Sequence, residues 1–296
     1  MPRASPVAKL YDARMSMQIQ VIRKCSITAA LLTALALGGC ASSQAPSKAE
    51  VTPQDWQQQW RQQRQPDVLL LGEQHDAAEH QQWEHATVTQ WAEQHKLAAV
   101  VLEMADAGRS TQGMASNATE SDVQAALAWN DKGWPWQHYG PAVMLAVQAG
   151  VPVYGGNLPR AQMREVMQQT TWDSHLPAAG WQRQIDAIRT GHCELLPESQ
   201  LAPMARIQLA KDASMAQTAA SLVTPGRVVI VLAGRGHVLR TIGIPTWLPA
   251  GLRSVVAIGQ AGDVAQADTV DRDWVVKMPA TPAKDHCADL KAKWKK

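Results

Sequence analysis

Three short segments of this 296-residue chain place side chains capable of acid–base or metal chemistry beside glycine or an apolar run. Gly72-Glu73-Gln74-His75 and Gly234-Arg235-Gly236-His237 share the spacing Gly-x-x-His, and Glu103 directly follows the apolar residues 97–102. Two imidazoles and two carboxylates suit a divalent metal, or proton transfer between a general acid and a general base. Glycine at the head of each segment lets the backbone turn sharply and approach a ligand closely. Each residue also has a plain structural reading: His75 can cap a following helix, and Glu103 can pair with Arg109. One Gly-x-x-His is a weak motif; its recurrence after two buried runs gives it weight. If Glu73, His75, Glu103 and His237 converge, they form the metal-ligating set of a hydrolase or protease with a position left for water.

The apolar pattern gives the elements that would position these residues. The runs 66–71 (PDVLLL), 97–102 (LAAVVL) and 227–232 (RVVIVL) are short and continuous, the signature of strands buried on both faces. Residues 151–154 form a further strand, and 254–258 and 274–277 are weaker candidates. Helices are expected from a cap at Asp76 to about His95, over 141–149, from Pro159 through Met167, and across most of 177–223. Strands alternating with helices predict an α/β fold, a mostly parallel sheet flanked by helices with a helical sub-domain. Open sheets of this kind bind ligands beyond the carboxyl ends of their strands. Both Gly-x-x-His segments and Glu103 fall there.

The amino-terminal region carries a different message. Arg23 and Lys24 precede an apolar stretch at 27–37 that is too short to span a bilayer as a mature helix, and Leu37-Gly38-Gly39-Cys40 closes it. This resembles the lipobox of bacterial lipoproteins, so cleavage before Cys40 and lipidation of its thiol are expected. Ala41 rather than Asp follows, which favours the bacterial outer membrane. The chain then divides into a signal (1–39), an anchor and linker (40–64), a domain (65–279) and a basic tail (280–296). The whole chain is formally +2, and residues 1–39 hold five Lys/Arg against Asp12, leaving the remainder at −2. That balance argues against a nucleic-acid partner, which calls for a basic face. Cys193 and Cys287 are left in an oxidising compartment and are expected to pair as a disulfide. Phe is absent while Trp occurs 12 times, so indoles must supply most of the aromatic bulk.

Several of these segments resemble the ChaN-like haem-binding lipoprotein family. They are Leu70-Leu71-Gly72-Glu73-Gln74-His75, Val101-Leu102-Glu103-Met104, Trp134-Pro135-Trp136-Gln137-His138-Tyr139-Gly140-Pro141, Val153-Tyr154-Gly155-Gly156-Asn157-Leu158-Pro159-Arg160, 208–216 (QLAKDASMA) and Val231-Leu232-Ala233-Gly234-Arg235-Gly236-His237. The family is similar to the wider TraB/TIKI and erythromycin-esterase-like group, some of whose members are metal-dependent proteases or hydrolases. The resemblance implies haem as cofactor, a role in haem or iron uptake, a tyrosine ligand to haem iron, and two haems stacked between subunits of a homodimer. Tyr139, in the Trp-rich WPWQHYGP segment, is the first candidate ligand, with His138 second and Tyr154 third. Arg160 and Arg235 are candidates to pair with haem propionates.

Overall fold

The apolar runs become strands of one sheet. The computed structural model describes residues 49–60, 64–262, 269–282 and 284–294; the expected signal segment and Cys40 lie outside them. The strands are β1 (Ala49–Val51), β2 (Val68–Glu73), β3 (Leu97–Asp106), β4 (Val153–Asn157), β5 (Val228–Gly234), β6 (Ser254–Ala261) and β7 (Trp274–Met278). Their order is β1-β7-β6-β2-β5-β3-β4, and every neighbouring pair is parallel. The helices are α1 (Pro53–Trp60), α2 (Ala78–Glu93), α3 (Glu120–Leu127), α4 (Trp136–Gln148), α5 (Arg160–Gln168), α6 (Ala178–Gly191), α7 (Glu198–Ser221), the single turn α8 (Arg235–Val238) and α9 (His286–Trp294). Among the described residues, no helix is long and apolar enough to cross a membrane.

Alternation along the strands sorts the core into two layers. Leu69, Leu71, Leu102 and Leu232 pack with Trp83, Val88, Val123 and Val143 of α2, α3 and α4. Leu70, Val101, Val231 and Ala233 pack with Met215 and Ala219 of α7 and Val238 of α8. Indoles do the work of the missing Phe. Trp56 is fully buried, stacks on Trp60 at 4.8 Å, and meets Trp83 and Trp274 edge-on at 5.8 and 5.6 Å. Helices α5–α7 carry small apolar clusters of their own, one around Leu158, Val166 and Ile207 and another around Ile188, Leu201 and Ala205.

Several boundaries differ from the sequence reading. Strands β2 and β3 run on through Glu73 and Glu103, because the backbone ladder continues past the apolar residues. Asp76 does not cap α2, whose N-cap is Ala77. Its carboxylate instead accepts from Gln74 Nε2 at 2.8 Å and lies 3.1 Å from His286 Nε2. Helix α4 starts at Trp136, whose backbone N–H donates to Asp131 at 2.7 Å, and so takes in Tyr139. The stretch read as anchor and linker contains β1, which extends the sheet beside β7, and α1, which buries Trp56 and Trp60. The tail contains α9, tied back by a Cys193–Cys287 disulfide.

One feature of the topology positions the site. From β2 the chain passes to α2 on the first layer, and from its neighbour β5 it passes to α8 on the second. Adjacent strands whose connections part to opposite faces leave a crevice at their carboxyl ends.

Candidate functional site

That crevice is an open pocket of about 550 Å³, lined by residues 73–76 at the end of β2, residues 234–237 at the end of β5, and Lys284 and His286. Glycine makes the close approach possible. A Cβ on Gly72 would lie 2.4 Å from Val238 Cγ2, and one on Gly234 would lie 2.7 Å from His75 Nε2. The glycines that head the two motifs therefore hold α8 against β2 and leave room for an imidazole.

Glu73 and Glu103 sit at the strand ends but point to opposite faces of the sheet. Glu73 turns into the first layer, where Tyr139 donates its hydroxyl at 2.8 Å and Gln81 donates its amide. Glu103 turns into the second layer. It accepts from Gly234 N–H at 2.8 Å, lies 3.2 Å from His237 Nε2, and has Lys211 Nζ at 4.0 Å. The other nitrogen of His237, Nδ1, meets Asp212 at 2.6 Å. His75 spans the two faces. Its Nδ1 is 2.7 Å from Glu73, its Nε2 is 3.8 Å from Glu103, and Trp134 meets the ring edge-on at 4.7 Å. Its side chain remains 39% exposed, so the pocket can reach it.

The charge states follow from this geometry. Burial disfavours the His237 cation, but Glu103 and Asp212 outweigh it and push the pKa up to about 10. Burial also opposes ionisation of Glu103, yet the charge and hydrogen bond of His237, with His75 and Lys211, hold the carboxyl well below its usual range. Asp212 is pushed up to about 6, burial exceeding the pull of His237. His75 is raised, its bond to Glu73 and the charges of Glu103 and Glu73 together exceeding the desolvation that lowers it. Beneath Glu73, the buried Glu84 is raised well above the ordinary carboxylate value by desolvation and by the charge of Glu73.

Thus Glu73, His75, Glu103 and His237 are brought together, but they are not arranged as a metal centre. Among the described residues, no group of three or more His, Cys, Asp and Glu side chains can hold a metal ion. The reason is local: both nitrogens of His237 and one of His75 already face carboxylates, so the imidazoles hold the carboxylates that a metal cation would need. Glu103 does not pair with Arg109, which is exposed; His237 and Lys211 take that part.

The expected haem contacts are scattered. Tyr139 is only 2% exposed. Burial and the neighbouring Glu73 push its phenol far above the ordinary tyrosine value, so it stays protonated as a donor that braces Glu73. His138 on the first turn of α4 and Tyr154 on the edge strand β4 are half-buried. Arg160 is exposed at the start of α5, and Arg235 is half-buried on the pocket wall.

Sequence reasoning missed Asp212, Lys211, Gln81, Glu84, Lys284 and His286. Asp212 had a readable signal. It lies three residues after Leu209 and three before Met215, on the buried face of α7. A carboxylate on an apolar helix stripe needs a partner.

An open parallel sheet with a charged pocket at its strand ends, where two connections part, defines an α/β protein of the class that binds small ligands at a topological switch point. More narrowly, the chain belongs to the haem-binding uptake family of the Tiki superfamily, ChaN, whose profile matches residues 59–248. No curated protein matches the sequence. Among solved structures, ChaN of Campylobacter jejuni, described with cofacial haem binding, is similar at 25% identity with a TM-score of 0.61, covering 75% of this chain and 90% of that one. The type III effector HopBA1 is 13% identical with a TM-score of 0.42, covering 73% of this chain and 88% of that one.

Proposed function

We propose that this protein is a lipid-anchored haem-binding protein of the bacterial outer membrane that serves haem or iron uptake. The observation that supports it most is the family match over residues 59–248, which spans both Gly-x-x-His segments. The likeness to C. jejuni ChaN adds to it. The residues present fit haem in two respects. The pocket size lies in the range of small-molecule sites, and Arg235 offers a planar guanidinium to a propionate at its wall. Tyr139 first, His138 second and Tyr154 third remain the candidates for the iron ligand, and none of the three belongs to the lining of the strand-end pocket. Bound haem would supply a ferric centre that takes an imidazole or phenolate ligand; the chain's own residues bind and orient it. Two haems stacked between two copies of the chain complete the reading, as a homodimer formed around its ligand.

The test is a titration of protein lacking residues 1–39 with haemin. A saturable shift of the Soret band is expected. Of Tyr139→Phe, His138→Ala and Tyr154→Phe, the one that removes the ligand should change that spectrum and weaken binding about tenfold or more. No saturable shift in the wild type overturns the reading, and unchanged spectra in all three variants remove all three residues as ligands.

A further inference from the structure

We propose that the Cys193–Cys287 disulfide is a latch that holds the C-terminal segment as one wall of the strand-end pocket, where Lys284 and Arg235 together grip a carboxylate of the ligand. The ligand's identity rests on the haem reading above.

Four observations carry this. First, the pocket is not built by strand ends alone, since Lys284 and His286 line it with Arg235. Second, among the described residues few contacts hold that segment in place. Between residues 284 and 292 only Cys287 and Leu290 are even half-buried; the other side chains are exposed. Its described tethers are the disulfide, with the two Cα atoms 5.5 Å apart, the His286–Asp76 pair at 3.1 Å, which is itself largely exposed, and the attraction of Lys284 to the same Asp76. An exposed pair of that kind contributes little by itself, so the covalent link decides whether the wall stays.

Third, the charges at the mouth are distributed to receive an anion. Asp76 is engaged by Gln74 and by the charges of His286 and Lys284, and Glu73 by His75, Tyr139 and Gln81. Arg235 makes no ion pair among the described residues, and Lys284 adds a second cation to the pocket lining. Fourth, the backbone of Arg235 packs closely on β2, because a Cβ on Gly72 would come within 3.3 Å of its Cα. The arginine thus springs from backbone held against the sheet, and the lysine rides on the latched segment. A carboxylate bridging them makes charge-assisted hydrogen bonds to both.

The experiment compares haemin with its dimethyl ester, which lacks free carboxylates, on three proteins lacking residues 1–39. These are the wild type, the Cys193→Ser/Cys287→Ser pair, and Lys284→Gln with the disulfide intact. Haemin is expected to bind both variants about tenfold more weakly than the wild type. The dimethyl ester is expected to bind all three alike. Circular dichroism reports whether the serine pair folds; if it does not, Lys284→Gln decides. Equal haemin affinity in the wild type and the folded variants overturns this proposal and leaves the haem reading standing. Failure of the wild type to bind haemin overturns the haem reading and the carboxylate grip with it.

Discussion

His237 holds a carboxylate on each ring nitrogen, Glu103 at 3.2 Å and Asp212 at 2.6 Å. Two acids around one buried imidazole keep it charged at neutral pH, with its pKa near 10 against an ordinary 6.5. A raised pKa contributes stability that is complete below the unfolded value and is lost as pH rises through the folded one. The window therefore runs from about pH 6.5 to about pH 10. His237→Gln leaves Glu103 and Asp212 without their cation, at a cost of about 3–5 kcal/mol near neutrality. Melting temperatures of the two proteins should differ most at pH 6.5 to 7 and draw together toward pH 10. A gap that stays constant over that range would mean the ring is neutral in the folded protein.

At the level of elements, the site depends on how tightly β2, β5 and α8 meet. Gly234→Ala puts a methyl 2.7 Å from His75 Nε2, and the ring must leave its place between Glu73 and Glu103. Overpacking of this kind costs about 1–3 kcal/mol. The imidazole pKa of His75, followed by NMR, should fall toward the ordinary value; an unchanged titration would show that His75 is not held by this contact. The same elements show what a sequence discloses. The strands near β2, β3 and β5 were legible because burial on both faces leaves an unbroken apolar run, and the repeated Gly-x-x-His marked their ends. Strand β1 was not, being three residues long at the sheet edge. Helix α1 was hidden because only Trp56 and Trp60 of its polar sequence are buried. The contact of Tyr139 with Glu73 was not legible, because the two residues are 66 positions apart in the chain and meet only where α4 packs on the sheet. Asp212 escaped because its partner Glu103 is distant in sequence and meets it only through His237.

For the whole molecule, the expectation concerns where the domain resides. The expected anchor site, Cys40, lies outside the described residues, and its support is the apolar stretch closing in Leu37-Gly38-Gly39-Cys40. Radiolabelled palmitate should enter the wild-type chain and not Cys40→Ser, and the variant should leave the membrane fraction. Equal labelling of both would remove the anchor. A chain tethered in this way would meet its ligand at a membrane surface, and a disulfide is the kind of link an oxidising compartment preserves. Its two cysteines are 94 residues apart, and closing a loop of that size stabilises the folded state by about 2–4 kcal/mol.

Trp134 meets His75 at 4.7 Å and stands half-buried beside the pocket, while Trp56 is wholly enclosed by other indoles. The protein consequently carries a native optical reporter. Indole emission falls where porphyrins absorb, so a chromophore seated over His75 would take energy from Trp134 directly. Occupancy of the strand-end pocket could then be read from the unlabelled chain as a loss of light.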